Sequence, residues 1–254
     1  MKIAVCVKHA IDETELKLDA GGKPLLDSAP GKMSAFDKNA VEEALRMKAA
    51  HTGEVVIFMV GTASAKKTLK EALAMGADRG VLVVADPLKL DTLRTAELLA
   101  AAIKKGGPFD AVLSSEGSSD TYSGQVPPML GELLGIPHVG YARKVEVNGQ
   151  TARVERSLED SVEVVEAPVP FGASVVSEIN EPRYPTLIQI MQASKKPLEE
   201  INGDQLSSDG SYKQASVLSM SSQPAVRKHL ILEGTPDEAA AKLVDALVKE
   251  GVLK

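Results

Sequence analysis

The chain has 254 residues, 44% of them hydrophobic and only 3% aromatic, with no Trp. That length buries a full core and excludes global disorder, and a core so poor in aromatics must be built from Val, Leu, Ile, Ala and Met, as helices packed on a parallel sheet are. The formal charge of −6 argues against a nucleic-acid surface, which needs clustered positive charge to displace counterions from phosphate. Lys195-Lys196 is too small a patch to reverse this. A single cysteine, Cys6, excludes an internal disulfide, and no Cys/His cluster has metal-ligand spacing. No stretch approaches the roughly 20 apolar residues of a bilayer span, so no membrane insertion is expected. Residues 1–7 are too short and too β-like for a signal peptide, which leads us to expect a cytoplasmic, reducing location.

Residues 2–7 form a run of small and β-branched apolar residues that reads as a buried strand opening onto Lys8-His9. Residues 13–31, with Gly21-Gly22-Lys23-Pro24 inside, read as a peripheral loop or hairpin. Ser34 or Asp37 is expected to cap a helix whose apolar face is Ala40, Val41, Ala44, Leu45 and Met47, with Glu42, Glu43 and Arg46 on the other face. A second strand at 54–61 leads to a helix from about 63 to 75, capped by Thr62 and stopped at Gly76. A strand at 80–85, a helix at 91–105 and a strand at 110–115 complete βαβ units with a parallel sheet and right-handed crossovers. Residues 143–156 alternate around Asn148-Gly149, a hairpin signal, and 162–165 and 169–176 continue the strand character, so this part is expected to add mainly antiparallel strands.

Two prolines, Pro182 and Pro185, make 180–185 a stiff extended turn. Thr186 then caps a short amphipathic helix carrying Leu187, Ile190 and Met191, with an apolar residue projecting at its tip. Residues 202–226 fall to Ser, Gln, Asp and Lys and cannot fold alone. Thr235-Pro-Asp-Glu238 is a capping box opening a helix to about Glu250. Such a tail either folds back on its own sheet or wraps a partner. The expected division is a nucleotide-binding α/β domain over 1–200, including 180–197, and a C-terminal arm over 201–254.

Ligands of open α/β sheets bind beyond the carboxyl ends of the strands, where strand order reverses. Those ends offer Cys6-Val7-Lys8, Val60-Gly61 and a polar loop at 114–125 that leads into a helix near Gln125. A phosphate over 121–126 is physically reasonable, although there is no Walker loop and no Gly-x-Gly-x-x-Gly after the first strand. The four histidines lie in different elements without Ser or Cys partners, and no side chain is expected to be catalytic.

These residues together resemble the β subunit of electron transfer flavoproteins over nearly the whole chain. The resemblance rests on Asn180-Glu-Pro-Arg-Tyr-Pro-Thr-Leu187 with Ile190-Met191 and Lys195-Lys196, and on residues 72–80. Further matches are Val5-Cys-Val-Lys8, Met33-Ser-Ala-Phe-Asp37, the helix start at 40–44, and Val154-Glu-Arg156. It implies a Rossmann-like domain of the adenine-nucleotide α-hydrolase type, with an arm that wraps an α subunit carrying most of a redox-active FAD. It implies that this chain holds an adenine nucleotide, AMP or alternatively a second FAD. The carried-over contacts are Cys6, Ser34, Ala35, Phe36, Asp37, Val60, Ser115, Glu116, Gly117, Ser118, Ser119, Asp120, Thr121, Tyr122, Ser123, Gly124, Gln125 and Val126. Pro182, Arg183, Tyr184, Leu187, Ile190 and Met191 would dock acyl-CoA or other flavin dehydrogenases, with a quinone oxidoreductase downstream. Asp120-Thr-Tyr-Ser-Gly-Gln-Val126, Asp86 and Asp91-Thr92 are closer in form to the electron-bifurcating branch, which uses NADH, while Pro87 replaces that branch's Arg. Asp160-Ser161 and Val169-Pro-Phe-Gly172 depart from the family pattern. The alternative outside the family is a universal-stress-type nucleotide-binding regulatory module.

Overall fold

The computed structural model describes residues 1–206, 214–222 and 228–253. Two compact units divide the chain, residues Met1–Met220 and Ser221–Lys254. The expected arm at 201–254 falls partly on 207–213, 223–227 and 254, which lie outside the described residues.

The first unit alternates strands and helices as the apolar periodicity predicts. In chain order they are β1 (Lys2–Cys6), β2 (His9–Ile11), β3 (Gly31–Met33), α1 (Ala35–His51), β4 (Glu54–Gly61), α2 (Lys66–Met75), β5 (Arg79–Val84), α3 (Thr92–Lys105) and β6 (Ala111–Ser115). They continue with α4 (Val126–Leu134), β7 (His138–Asn148), β8 (Thr151–Ser157), β9 (Val162–Pro168), β10 (Phe171–Val175), α5 (Leu187–Ala193) and β11 (Leu198–Asn202). Among the described residues a nine-stranded sheet runs β11-β5-β4-β1-β6-β10-β7-β8-β9, and β2 pairs antiparallel with β3. From β11 to β7 every pairing is parallel.

Both faces of this parallel part are covered, so successive residues of one strand enter different cores. Ile3, Val5, Ile57 and Met59 join the α1 and α2 layer, whereas Ala4, Cys6, Phe58 and Val60 join the α3 and α4 layer. Phe58 meets Phe109 edge to face at 5.6 Å, the arrangement aromatic quadrupoles favour. Gly80 lets Leu69 of α2 close onto β5, since an added Cβ would stand 3.2 Å from its side chain.

The region after residue 137 corrects one expectation. β7, β8 and β9 are antiparallel, β7 turning into β8 at Gly149 (φ +60), but β10 lies inside the sheet, parallel to both β6 and β7. Every residue of β10 is buried, and its small, apolar Phe-Gly-Ala-Ser-Val sequence suits a strand packed on both faces. β11, which the composition did not signal, adds an edge strand beside β5 and runs across the expected boundary at 200/201.

Several cap expectations are also corrected. Thr62 makes no cap bond, because a short 3-10 turn over Ala63–Ala65 precedes α2. Ser34 occupies the N-cap position of α1 without a side-chain cap bond, and Asp37 sits within the first turn, both turned to other partners. Glu42 and Glu43 are buried rather than solvated.

In the second unit α6 (Pro236–Lys249) opens with the anticipated capping box. Thr235 accepts the Glu238 amide, and Glu238 accepts the Thr235 amide at 2.9 Å. Among the described residues no helix is long and apolar enough to cross a membrane.

Candidate functional site

The chain leaves β1 toward β4 and β5 on one side and returns to β6 on the other, so the carboxyl ends of β1 and β6 border a crevice at a reversal of strand order. Three polar segments fill its mouth: Lys8, the start of α1, and the loop after β6. Lys8 Nζ lies 2.6 Å from Asp120 Oδ1, 3.2 Å from Thr121 Oγ1 and 3.3 Å from Ser118 Oγ. Asp120 also accepts the Ser118 hydroxyl at 2.7 Å and the Ile11 amide at 3.1 Å. Burial pushes the Asp120 carboxyl up, but the Lys8 and Ser118 bonds outweigh it and hold the group below its ordinary value. Asp120 is therefore committed to the loop's own framework, and Lys8, absent from the sequence-derived contacts, is its counter-ion.

The first turn of α1 fastens the same loop from below. Ser34 Oγ accepts the Ser119 amide at 3.1 Å, which is why it caps nothing. Asp37, 3% exposed, accepts the Lys8 amide at 2.8 Å and lies 2.5 Å from Ser115 Oγ. Burial raises the Asp37 carboxyl to about 7 and the Cys6 thiol to about 12, the latter with a smaller push from Asp37. Cys6 is consequently a neutral packing residue at neutral pH.

The outer part of the loop is shaped by an aromatic wedge. Tyr122 (φ +44) stands edge-to-face with Phe36 at 5.4 Å, and its ring lies where a Cβ on Gly117 would come within 2.7 Å. Any larger residue at 117 would expel it. Burial and Glu178 raise the Glu116 carboxyl despite its hydrogen bond with Tyr122. Thr121, Ser123, Gly124 and Gln125 are exposed, and Gln125 Oε1 accepts the Thr92 hydroxyl at 2.8 Å, joining the starts of α3 and α4. Pro127 and Pro128 lack N–H groups, so the first turn of α4 offers few donors. The Tyr122 amide is also taken, by the Ser118 carbonyl at 3.0 Å.

Ser119 Oγ is buried without a hydrogen-bond partner among the described residues. Such a group costs free energy unless something reaches it, and a polar ligand in the crevice fits that need. Ala35 is exposed beside the wedge, Val126 is half-buried at the start of α4, and Val60 is the penultimate residue of β4, the strand next to β1. The crevice thus brings together the segments carrying all of these residues. A groove of about 460 Å³ between α1 and β7, lined by Glu43, Arg46, Met47, Val145 and Val147 among others, shares no lining residue with it. Among the described residues no group of three or more His, Cys, Asp or Glu could hold a metal ion.

The loop around Leu187 is separate. Pro182 is half-buried, while Tyr184 is 89% exposed, Leu187 74%, Met191 69%, Ile188 67% and Ile190 50%. Thr186 and Gln189 form a full capping box, fixing where α5 starts. Only Ala193 of α5 is buried, so this helix presents its apolar residues outward. Its rigidity comes from α1. Asn39 Nδ2 donates to the Ser177 carbonyl at 2.9 Å and the Asn180 carbonyl at 2.8 Å, and Asn180 donates to Glu43 at 3.1 Å. Arg183 grips Glu42 through Nε at 2.7 Å, Nη2 at 2.9 Å and its amide at 3.2 Å. Burial raises the Glu42 carboxyl, but Arg183 and Arg46 outweigh it and hold it below its ordinary value. Lys196 Nζ donates to the Leu73 and Ala77 carbonyls at 2.9 and 2.6 Å, capping the end of α2. Asn39, Glu42 and Glu43 were not anticipated, since a helix-face pattern places adjacent glutamates in solvent.

Comparison with known proteins adds independent findings. The electron transfer flavoprotein domain family matches residues 25–206. The chain is 35% identical over 253 residues to the electron transfer flavoprotein subunit beta of Bacillus subtilis (strain 168), covering 98% of each chain. It is 34% identical over 261 residues to the subunit of that name from Thermoanaerobacterium thermosaccharolyticum, covering 100% of each. With that from Clostridium acetobutylicum, identity is 35% over 257 residues, covering 98% of this chain and 99% of the relative.

Proposed function

The chain belongs to the electron transfer flavoprotein family as a β-subunit-type member, and from that premise we propose that it pairs with an α subunit, holds an adenine nucleotide in the crevice and docks flavin dehydrogenases through the loop around Leu187. The observation that carries the nucleotide reading is the crevice itself: a polar loop pinned to β1 and α1, with residues 121–125 exposed and the Ser119 hydroxyl buried without a partner among the described residues. Small residues let a ligand approach the backbone, and free amides within 121–126 would meet its phosphate. Phe36 and Tyr122 offer an aromatic flank, and Ser34, Asp37 and Asp120 hold the walls.

Bound to the heterodimer, FAD supplies one- and two-electron redox chemistry. This chain's residues bind, orient and dock, and no side chain acts on a substrate. The exposed Tyr184, Leu187, Ile188 and Met191 form an apolar tip on a rigid base, the arrangement of a docking anchor that needs little ordering on contact. The segment from 201 onward, ending in the capped α6, serves as the arm toward the α subunit, and the protein works in the cytoplasm between dehydrogenases and a quinone oxidoreductase.

One observation favours a second reading. Thr92 meets Gln125 at the loop's outer end, and both belong to the segments closer in form to the bifurcating branch, in which a second FAD replaces AMP and NADH is a donor. Counting cofactors decides. The purified heterodimer is expected to release one flavin and one AMP on denaturation; two flavins and no AMP would select the bifurcating reading, and neither cofactor would defeat both.

A further inference from the structure

We infer that Asp37 carries a proton and donates it to Ser115, which in turn fixes the Gly117 carbonyl and holds the loop over 115–126 in its closed shape. The consequence for ligand binding rests on the nucleotide reading above; the proton itself rests on geometry alone.

Ser115 Oγ lies 2.5 Å from Asp37 Oδ1 and 2.8 Å from the Gly117 carbonyl oxygen. A hydroxyl has one proton, and a carbonyl only accepts. If Ser115 donates to Gly117, its lone pair faces Asp37 Oδ1, and that contact is a hydrogen bond only when Asp37 supplies the proton. If Asp37 were ionised, two acceptors would compete for the single Ser115 proton, and one oxygen pair would be left with lone pairs opposed. The other carboxyl oxygen, Oδ2, takes the Lys8 amide. A carboxylic acid satisfies all three contacts in one chain from Asp37 through Ser115 to Gly117, and a carboxylate does not.

The surroundings agree. Asp37 is buried between β1, β6 and its own helix. The nearest cation, Lys8, favours the carboxylate through its amide and its charge, and its ion-pair partner Asp120 opposes it more weakly, so burial is what keeps Asp37 protonated. Cys6 is a neutral thiol. The amino-terminal dipole of α1 favours the carboxylate, yet burial prevails and raises the group from 3.8 to about 7. The folded chain therefore holds this proton where the unfolded chain has lost it. Its contribution to stability is complete below the unfolded value and is lost as pH rises toward the folded one.

The test compares the full-length chain with Asp37→Asn, whose amide would donate to Ser115 and accept from Lys8 at any pH. Melting temperatures of the wild type are expected to fall, relative to this variant, as pH rises from 4 to 7; parallel curves would overturn the proton. In case the variant does not fold, carbon-13 labelling of Asp carboxyls in the wild type reads the same point. A midpoint near neutrality for Asp37 is expected, and one near 3.8 overturns the inference. With AMP as probe, the wild-type dissociation constant should rise about tenfold between about pH 6 and pH 8 relative to the variant, the ratio expected for a required proton with a midpoint near 7. A ratio that stays constant over that range would overturn the loop's dependence on Asp37. Failure of AMP to bind either protein at any pH would defeat the nucleotide reading, while the melting comparison still judges the proton.

Discussion

The crevice at the ends of β1 and β6 and the loop around Leu187 are both fastened to α1, by different physical means. At the crevice, Ser34 and Asp37 turn inward to a desolvated network in which each hydroxyl, amide and carboxyl depends on the next. At the loop, Asn39, Glu42 and Glu43 grip a backbone and one guanidinium, leaving large apolar side chains in water. On the function proposed above, the first region would hold a ligand within it and the second would present a surface outward. A network of buried partners is cooperative, so its losses spread; an anchored loop should fail locally.

The largest effect is expected at the crevice. Asp120→Ala strips the Ile11 amide, Ser118 and Lys8 of their acceptor and should cost about 2–3 kcal/mol in denaturant unfolding, with loss of bound nucleotide. A smaller cost with nucleotide retained would show that the network is not cooperative. Glu42→Ala comes next, at about 2 kcal/mol, because Arg183 is partly exposed and can recover water. Hydrogen exchange should then quicken over 180–191 while the heterodimer keeps its nucleotide; loss of nucleotide as well would mean that α1 couples the two regions rather than supporting each. Thr186→Ala removes half of the capping box and should cost about 1 kcal/mol, visible as faster exchange over α5 alone. Leu187→Ala should leave stability within about 0.5 kcal/mol, as for an exposed residue. It should nevertheless slow electron transfer from a partner dehydrogenase, and an unaltered rate would remove the anchor role.

Much of this was legible in the residues themselves. The strand and helix alternation through β6, the cap at Thr186 and the outward Leu187 all follow from short-range pattern, and the structure bears them out. The segments that meet at the crevice were legible from strand-end chemistry and the family resemblance. The roles within them were not. Ser34 and Asp37 look like helix caps in a one-dimensional reading, and only the loop arriving from β6 draws them away. Glu42 and Glu43 look solvated until 180–183 is laid across them.

The chain's own order of residues therefore determined periods, turns and the caps at Thr186 and Thr235, because these depend on neighbours within about four positions. It determined that Gly149 would turn a hairpin, that Thr235 would start α6 and that a parallel sheet would form. Tertiary structure alone decided that β10 would lie between β6 and β7, that Lys8 would meet Asp120 across 112 positions, and that Arg183 would find Glu42 across 141. Strand order is set by burying both faces of the whole sheet at once, and contacts at such separations exist only after that order is fixed.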